Sequence, residues 1–254
     1  MLPLLEHPLT RGLDLDDPRT TALRARIIAR KGFLRRIYLE WYDTIAALLP
    51  AGAGSVIELG AGAGFLRERV PGLIVSDIVP APGADITADA GALPFGTGSL
   101  RGIVMTNVLH HLPSPDDFLR EAARCLRGGG RVIMLEPWVT PWSTAVYQCL
   151  HHELFDPLAK DWRTHGAGPL SRANGALPWI MMQRDRARLE REHPLLRVTL
   201  IRPTMPFRYL LSGGLASRLG LPAWSFGLAG TLERMGGALA ARAAMFAYVV
   251  LTRE

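Results

Sequence analysis

The chain has 254 residues, 48% of them hydrophobic and 20% charged, a composition that supports a substantial buried core and excludes a disordered chain. Its formal net charge of +6 comes from arginines, since Lys31 and Lys160 are the only lysines among the basic residues. Because no basic motif with interleaved aromatic residues occurs, we do not expect nucleic-acid binding. Cys125 and Cys149 make no disulfide framework and no signal peptide is recognisable, so we expect a reduced, cytoplasmic protein.

Apolar residues recur at helical spacing between residues 20 and 49, which predicts an N-terminal helical cap segment over residues 1–50. Pro50 and the AGAG that follows it end this pattern. Residues 51–254 then predict one domain in which short apolar strands alternate with helices. Strands are predicted at 56–59, 73–78, 85–88, 102–106, 131–135, 197–202 and 245–251, and helices at FLRERV (65–70), 116–126 and about 179–192.

This alternation predicts the α/β class: a Rossmann-like, doubly wound, mostly parallel seven-stranded sheet. Two irregular segments, at about 137–178 and 205–240, are predicted to be helical cap insertions in this domain. The run from Leu210 to Gly230 is apolar enough to touch a membrane surface, and a pair of cap helices packed on the core is the alternative. No run of 18 apolar residues occurs, which argues against a membrane-spanning helix.

A glycine-rich turn follows the first predicted strand in VIELGAGAGFL (56–66). Gly60, Gly62 and Gly64 alternate with alanines there, and glycines let the backbone approach a ligand that any Cβ would obstruct. In an open parallel sheet, ligands bind beyond the carboxyl ends of the strands. A helix beginning directly after the turn would add unpaired amides and a partial positive charge for an anionic group. We therefore expect a nucleotide-type ligand at this turn.

Acidic residues near the predicted strand ends indicate which ligand this is. Glu58 stands two residues before the first glycine, where it can hold a positively charged group, and Phe65 occupies the position where a dinucleotide fingerprint requires glycine. Asp77 ends the second strand, where a carboxylate can accept both hydroxyls of a ribose. Asp89 follows the third strand, within reach of an adenine amino group. An amine, a ribose and an adenine in this order describe S-adenosylmethionine.

Five segments between Val56 and Glu136 resemble the class I S-adenosylmethionine-dependent methyltransferases, in particular their small-molecule branch. They are VIELGAGAG, the acid of VSDI, ADAGALPF, GIVMTNVLHHLPSP and LREAARCLRGGGRVIMLEP, in the family's order and spacing. The resemblance implies S-adenosyl-L-methionine as cofactor and S-adenosyl-L-homocysteine as product. It places the methionine part of the cofactor on Glu58, Gly60, Ala61, Gly62, Gly64 and Asn107, the ribose on Asp77, and the adenine on Ile78, Asp89 and Ala90. An Asp ends the second strand here instead of the commoner Glu, which leaves that role intact.

Three residues are candidates for the chemistry of methyl transfer. His110 and His111 follow the fourth predicted strand and Glu136 follows the fifth, so all three lie at the carboxyl edge of the sheet. A base is needed only where the acceptor must lose a proton, and the alternative is that one histidine caps the turn and contacts the cofactor. We expect no metal. A metal site formed by His151, His152, Glu153 and Asp156 in the cap, where His165 also lies, is the alternative.

The methyl acceptor has to be inferred from the cap segments. Their tryptophans, methionines and leucines suit a small hydrophobic molecule, and a fainter similarity to methyltransferases encoded beside polysaccharide and glycolipid enzymes favours a glycosylated or lipid-linked one. We therefore expect an O-methyltransferase. The alternatives are C- or N-methylation of a natural product, and a non-catalytic protein that binds the cofactor or a partner. Phe65 and Glu58 disfavour a nicotinamide-dependent oxidoreductase.

Overall fold

A computed structural model describes residues 7–9, 12–13, 17, 19–81, 83–150, 153–164, 168 and 171–254. Within these ranges the strands form one seven-stranded sheet of order β3-β2-β1-β4-β5-β7-β6. Strands β1 to β5 are mutually parallel where they pair, and β7 lies antiparallel between β5 and β6. The predicted mostly parallel α/β sheet is confirmed. The strands are β1 Ser55–Leu59, β2 Leu73–Asp77, β3 Ile86–Thr87, β4 Leu100–Thr106, β5 Leu126–Pro137, β6 Leu196–Thr204 and β7 Phe246–Arg253.

Helices cover the sheet and form the cap segments. They are α1 Arg19–Arg30, α2 Gly32–Leu48, α3 Pro115–Cys125, α4 Pro141–Leu150, α5 Leu177–Trp179, α6 Arg186–Glu192, α7 Arg208–Leu211, α8 Phe226–Met235 and α9 Gly237–Arg242. A π-helical turn, Ile180–Arg184, joins α5 to α6. The helices predicted at 20–49 and 116–126 are confirmed, and the one predicted at about 179–192 is present but contains this π-helical turn.

Helix α2 anchors the N-terminal segment to the sheet through one apolar face. Trp41, at the centre of that face, is fully buried and packs against Tyr209 at 5.7 Å and Phe246 at 5.2 Å between ring centroids. Burying a large side chain of this kind stabilises a fold by about 1.5–3 kcal/mol. Tyr209 belongs to α7 and Phe246 to β7, so Trp41 connects the first helices to the last strand.

The prediction of a helix at FLRERV is wrong. The chain makes a single 3-10 turn, Leu66–Glu68, and β2 already begins at Leu73. Pro71 cannot donate a backbone hydrogen bond, and Gly72 has a left-handed φ of +73°, so the segment ends before a helix can propagate. A 3-10 turn has no extended helix dipole, and the expected anion-binding helix N-terminus is therefore absent from this turn.

The triglycine at 128–130 also differs from expectation. The sequence predicts that these glycines end the helix, but α3 ends at Cys125 and β5 begins at Leu126. Pairing of β5 with β4 is irregular here, since Leu100 faces Leu126 whereas Gly102 already faces Arg131. The glycines therefore form an irregular first part of the strand.

Candidate active site

The predicted site residues lie along one edge of the sheet. Strands β2, β1, β4 and β5 are neighbours and parallel, so their carboxyl ends point the same way. Glu58 is near the end of β1, Asp77 ends β2, Asn107 directly follows β4, and Glu136 is near the end of β5. The backbone N–H of Ala88 donates to the Asp77 carbonyl at 3.0 Å, which sets the turn with Asp89 and Ala90 beside β2.

The three glycines of the turn are required for three different reasons. A Cβ at Gly60 would lie 2.7 Å from Val108 Cγ2, in the loop after β4. A Cβ at Gly64 would lie 2.7 Å from the Tyr42 hydroxyl and 2.8 Å from the Ala61 carbonyl. Gly62 has open space around its missing side chain but a left-handed φ of +51°, which L-residues rarely adopt. The turn is therefore held tightly at both ends and left open at its middle.

Asp77 fastens this turn to the second strand. Its Oδ2 accepts the backbone N–H of Gly62 at 2.8 Å, and its Oδ1 accepts its neighbour Ile78's N–H at the same distance. Each carboxylate oxygen has a second lone pair, so both can accept a further hydrogen bond. The side chain is buried at the end of β2.

Glu58 is a buried carboxyl at the base of the turn. It is 2% exposed, and burial raises its pKa to about 8, with the nearby Asp77 raising it further and Arg67 opposing the rise. Its Oε1 also lies 3.5 Å from the position a Cβ would take at Gly64, next to the Tyr42 hydroxyl. A positively charged group placed here would favour the carboxylate form.

Asn107 provides an unused acceptor on the other side of the turn. It is one of two non-glycine residues with a positive φ in the described part of the chain, at 58°, a conformation that asparagine tolerates better than most residues. Its N–H donates to the Leu135 carbonyl at 2.8 Å, which fixes the backbone. Its Oδ1 is buried and has no hydrogen-bond partner among the described residues, and neither has the hydroxyl of Thr106. Buried polar atoms of this kind are rare unless a ligand or water satisfies them.

A cleft of ≈ 340 Å³ opens beside the turn. Glu58, Ala61, Gly62, Gly64 and Asp77 are among its lining residues, so half of the ten predicted cofactor residues meet there. The other five lie on the loops that follow β1 to β4. Three of them form the adenine end of the prediction: the side chain of Ile78 is 46% exposed, and Ala90 is buried beside the exposed Asp89.

His110 and Glu136 form a buried ion pair at the same edge. His110 Nδ1 lies 2.6 Å from Glu136 Oε2, and Glu136 Oε1 accepts the backbone N–H groups of Val108 and Leu109 at 2.8 Å each. The second ring nitrogen, Nε2, lies 3.6 Å from Glu153 Oε2. Burial alone lowers the pKa of His110, but the two carboxylates outweigh it and raise the pKa to about 9. His110 is therefore an imidazolium at neutral pH, with both nitrogens protonated.

His111 is held in the opposite protonation state. Its burial and the adjacent charge of His110 lower its pKa to about 4, so the ring is neutral. Nδ1 lies 2.7 Å from the Arg172 carbonyl oxygen, which can only accept, so the proton is on Nδ1. The lone pair is consequently on Nε2. Of the two imidazoles, only His111 can accept a proton in this state.

The same cluster contains a metal-type donor set. One ligand atom each from His110, His111 and Glu153 lie within 4.8 Å of one another. His110 also faces the Glu136 and Glu153 carboxylates, which favour its protonated form, so a metal bound here would have to displace that proton. Of the other residues considered for a metal, Asp156 is not part of this group, and His151, His152 and His165 lie outside the described residues.

Two neighbours of the site could not be deduced from local sequence. The Tyr42 hydroxyl comes from α2 and accepts the Phe65 N–H at 3.4 Å, while Phe65 packs edge-on against the Tyr42 ring at 5.0 Å. Glu153, considered in the sequence as a metal ligand beside His151 and His152, faces His110 and belongs to the donor set that His110 and His111 form. Both contacts join segments that are far apart in the chain. The helical pattern of residues 20–49 predicts that α2 packs on the domain, but it does not indicate that Tyr42 reaches the glycine turn.

Comparison with known proteins gives one family match and several similar folds. Residues 57–134 match the family model described as a methyltransferase domain. No curated protein matches the chain by sequence. Similar structures include geranyl diphosphate C-methyltransferase from Streptomyces coelicolor A3(2), solved with Mg²⁺, geranyl diphosphate and S-adenosyl-L-homocysteine (13% identity, TM-score 0.53, 99% of this chain and 90% of that chain). A SAM-dependent methyltransferase from Thermotoga maritima has 16% identity and a TM-score of 0.52, over 85% of this chain and 89% of that chain.

A third similar structure is the partner of the Trm112 methyltransferase activator in a Haloferax volcanii complex, with 13% identity and a TM-score of 0.51 over 91% of this chain and 97% of that chain. At these identities the structures show a shared fold. The family match spans β1 to β5, and with it the ends of the strands that carry Glu58, Asp77 and Asn107. Residues 57–134 therefore match the methyltransferase-domain family, and the chain has a fold that S-adenosylmethionine-dependent methyltransferases of known structure share.

Proposed function

We propose that the protein methylates a hydroxyl group of a small hydrophobic, glycosylated or lipid-linked acceptor. The observation that carries this proposal is the neutral His111, with a fixed proton-accepting Nε2, beside the His110–Glu136 ion pair. A hydroxyl must lose its proton as it is methylated, whereas many carbon and amine acceptors need no such base at the moment of attack. Val108, two residues before His110, lies against Gly60, so the loop that carries the cluster packs against the glycine turn.

The ten predicted residues fit the cofactor. Glu58 and the unpartnered Asn107 Oδ1 offer two acceptors for the amino group, and Asp77 has lone pairs left for the ribose hydroxyls. Ile78 leaves an exposed apolar surface for the adenine, beside Asp89 and Ala90. When bound, the cofactor supplies an electrophilic methyl group on a positively charged sulfur. The glycine turn and the carboxylates hold it in place, and such positioning can contribute about 7–11 kcal/mol of barrier reduction in oriented reactions.

Side chains of the protein would then accept the proton that the acceptor hydroxyl loses. His111 Nε2 accepts it from the acceptor hydroxyl, while Nδ1–H stays on the Arg172 carbonyl and keeps the ring oriented. His110 cannot compete for this proton because both of its nitrogens are already protonated. Glu136 holds His110 in place and also fixes the backbone of the preceding loop, so it acts through position and charge.

An aromatic wall beside the cluster supports a hydrophobic acceptor. Tyr147 is buried and Tyr209 half-buried, and removal from water raises the pKa of both hydroxyls, to about 12 for Tyr209, with the Glu153 carboxylate adding to each rise. Both hydroxyls are therefore within electrostatic reach of Glu153, the residue that faces His110. Trp41, which is fully buried, stacks on Tyr209 from the core side and supports its ring. Apolar walls with a few polar groups are typical of small-molecule sites.

The direct test is transfer of an isotopically labelled methyl group. The protein is incubated with cofactor carrying a ¹³C-methyl group and a lipid and metabolite extract, and the product is analysed by mass spectrometry and NMR. A label bonded to oxygen is the expected result. A label bonded to carbon or nitrogen would leave the methyltransferase intact but overturn O-methylation, and no labelled product in any extract would favour a non-catalytic binding protein. Chelator should leave turnover unchanged, since no step requires a metal.

A pair of glycine substitutions tests the cofactor turn. Gly62→Ala and Gly72→Ala each place a side chain at a left-handed φ, +51° at position 62 and +73° at position 72. The new Cβ of residue 62 would lie 3.9 Å from the Gly60 carbonyl oxygen, an ordinary contact, and the new Cβ of residue 72 would have no atom within 4 Å. We expect each to cost about 1–2 kcal/mol of folding stability. Only Gly62→Ala should lower S-adenosylhomocysteine affinity, by about tenfold or more, because its Cβ enters the cleft. Equal affinities by calorimetry would show that the cofactor does not approach Gly62.

The buried Glu58 predicts opposite effects on stability and binding. Its pKa of about 8 in the fold lies above the usual value of 4.5, so the folded state favours the protonated carboxyl. The resulting stabilisation is complete below pH 4.5 and is lost as the pH rises through about 8. Binding of the cofactor's ammonium group requires the carboxylate, so wild-type affinity should rise with pH up to about 8.

Glu58→Gln removes both dependences. The variant should melt above the wild type at pH 9, by roughly 2–4 °C for each kcal/mol gained, and should match it more closely at pH 5. Its affinity for S-adenosylhomocysteine should be lower than wild type at pH 8 and nearly independent of pH. Calorimetry and thermal melts at pH 5 to 9 measure both effects. A variant that keeps the wild-type pH dependence of binding would exclude Glu58 as the amine partner.

A further inference from the structure

An apolar stripe runs along the outer face of α8 and α9. Leu228, Leu232 and Met235 are spaced four and three residues apart and therefore share one side of α8. The stripe continues with Trp224 in the turn before α8 and with Leu239 in α9. All five side chains are between 55% and 79% exposed. Large apolar side chains scattered singly on a surface are normal, but a contiguous row of this kind marks an interaction surface.

The inner face of α8 is unusually polar and fixes the orientation of the stripe. Its buried residues are Ala229, Gly230 and Glu233. Glu233 forms an ion pair with the buried Arg208, and its Oε1 accepts the backbone N–H groups of Phe207 and Arg208 at 3.0 and 2.8 Å. Arg208 also donates to both carboxylate oxygens of Glu40, at 2.6 and 2.7 Å. Because α8 is fastened through small and charged residues, its leucines are not available to the core.

Positive charge surrounds the stripe. Arg218, Arg234 and Arg242 are exposed within the same segment. The only acidic residue between positions 205 and 244 is Glu233, which is buried and paired. Lys31, at the end of α1, adds a further cation, since its Nζ donates to the carbonyls of Gly214, Ser217 and Leu219 in the loop before the stripe.

We infer that this face binds the surface of an anionic lipid bilayer. The stripe would lie in the interface with its side chains among the upper acyl chains, and the arginines would contact the headgroup phosphates. Trp224, at one end and the most exposed of the five, is of the residue type that favours the membrane–water interface. Among the described residues no helix is long and apolar enough to cross a membrane. The contact is therefore peripheral, and it does not depend on which acceptor the enzyme uses.

A second copy of the chain fits this face less well. In a two-fold contact the same patch meets itself, so Arg218, Arg234 and Arg242 of one copy would meet the same segment of the other, which has no exposed acid of its own. Like charges brought together in this way are repulsive. An anionic bilayer supplies the missing negative charge along the whole face.

Flotation with vesicles tests the inference. The full chain is mixed with vesicles of phosphatidylcholine alone or with added phosphatidylglycerol, and the bound fraction is measured. We expect binding that requires the anionic lipid, with a blue shift of tryptophan emission that Trp224→Phe abolishes. Leu228→Glu/Leu232→Glu should reduce binding by about tenfold or more, and Arg234→Gln/Arg242→Gln should remove the preference for anionic lipid.

A matched control separates the stripe from exposed leucines in general. Leu158→Glu/Leu195→Glu changes two exposed leucines elsewhere, at 83% and 48% exposure, and should leave binding unchanged. Circular dichroism and S-adenosylhomocysteine affinity check that each variant is folded. The inference is overturned if wild type fails to float with anionic vesicles, or if both leucine pairs weaken flotation equally. A dimer seen by light scattering that Leu228→Glu/Leu232→Glu dissociates, without flotation of wild type, would assign the face to a second copy instead.

Discussion

Replacing Asp77 by alanine is expected to lower the affinity for S-adenosylhomocysteine by one to three orders of magnitude. The carboxylate would lose its charge-assisted hydrogen bonds to the ribose, each worth about 1.5–3 kcal/mol, where about 1.4 kcal/mol is a factor of ten in affinity. It would also lose its bond to the Gly62 N–H at 2.8 Å, which holds the turn against β2. Isothermal calorimetry measures the affinity directly.

Asp85→Ala is the matched control for this experiment. Asp85 also accepts a backbone N–H of β2, from Val75 at 2.8 Å, and it forms an exposed ion pair with Arg67. Its removal therefore costs a similar backbone contact beside the same cleft but none of the proposed ribose contacts. We expect cofactor affinity within about threefold of wild type, since exposed ion pairs contribute little. Equal losses in both variants would mean that Asp77 acts only on the backbone of the turn.

Replacing His111 by asparagine is expected to lower kcat by about 10²-fold, the low end of the contribution of a general base, because a ring with a pKa of about 4 is a weak base. The amide nitrogen of asparagine takes the place of Nδ1 and can still donate to the Arg172 carbonyl, so the loop should keep its position. The substitution removes the Nε2 lone pair, and S-adenosylhomocysteine affinity should stay within about threefold. Single-turnover rates with labelled cofactor separate the chemical step from binding.

His193→Gln controls for the loss of a buried imidazole. His193 is buried, and its Nε2 lies 3.0 Å from Asp116 Oδ1, a second histidine–carboxylate pair, between α6 and α3. Glutamine can keep that hydrogen bond, and turnover should remain near the wild-type value. If His111→Asn retains full kcat, the proton must go elsewhere, and Glu153 beside His110 would be the remaining acceptor in the cluster.

The sheet and its acidic residues could be predicted because buried parallel strands leave a clear pattern. Each strand is a short apolar run, and Glu58 and Asp77 stand out as charges at the ends of two of them. Parallel strands bring their carboxyl ends to one edge, so the juxtaposition of these residues follows from the fold class alone. The glycine turn could be predicted because glycine is the residue type that tolerates a left-handed φ. Gly60 and Gly62 do adopt this conformation.

The contacts made by the cap were not predictable in this way. Glu153 meets His110, and Tyr42 meets Gly64, through packing between distant segments whose local sequence gives no sign of it. Tryptophans were read as candidate walls of the acceptor site, yet Trp162 is fully buried and Trp224 is 79% exposed. The helix expected at FLRERV failed because helical periodicity over six residues cannot outweigh the Pro71-Gly72 that follows.

The most direct test of the proposed site is a crystal structure with S-adenosylhomocysteine bound. We predict that its amino group contacts Glu58 and Asn107 Oδ1, that its ribose hydroxyls donate to Asp77, and that its adenine lies on Ile78. The thioether sulfur should face the loop that carries His110 and His111. A product molecule bound elsewhere, for example in the groove that Arg36, Thr44 and Phe226 help to line, or one whose sulfur points away from the histidines, would contradict the site and the chemistry proposed for it.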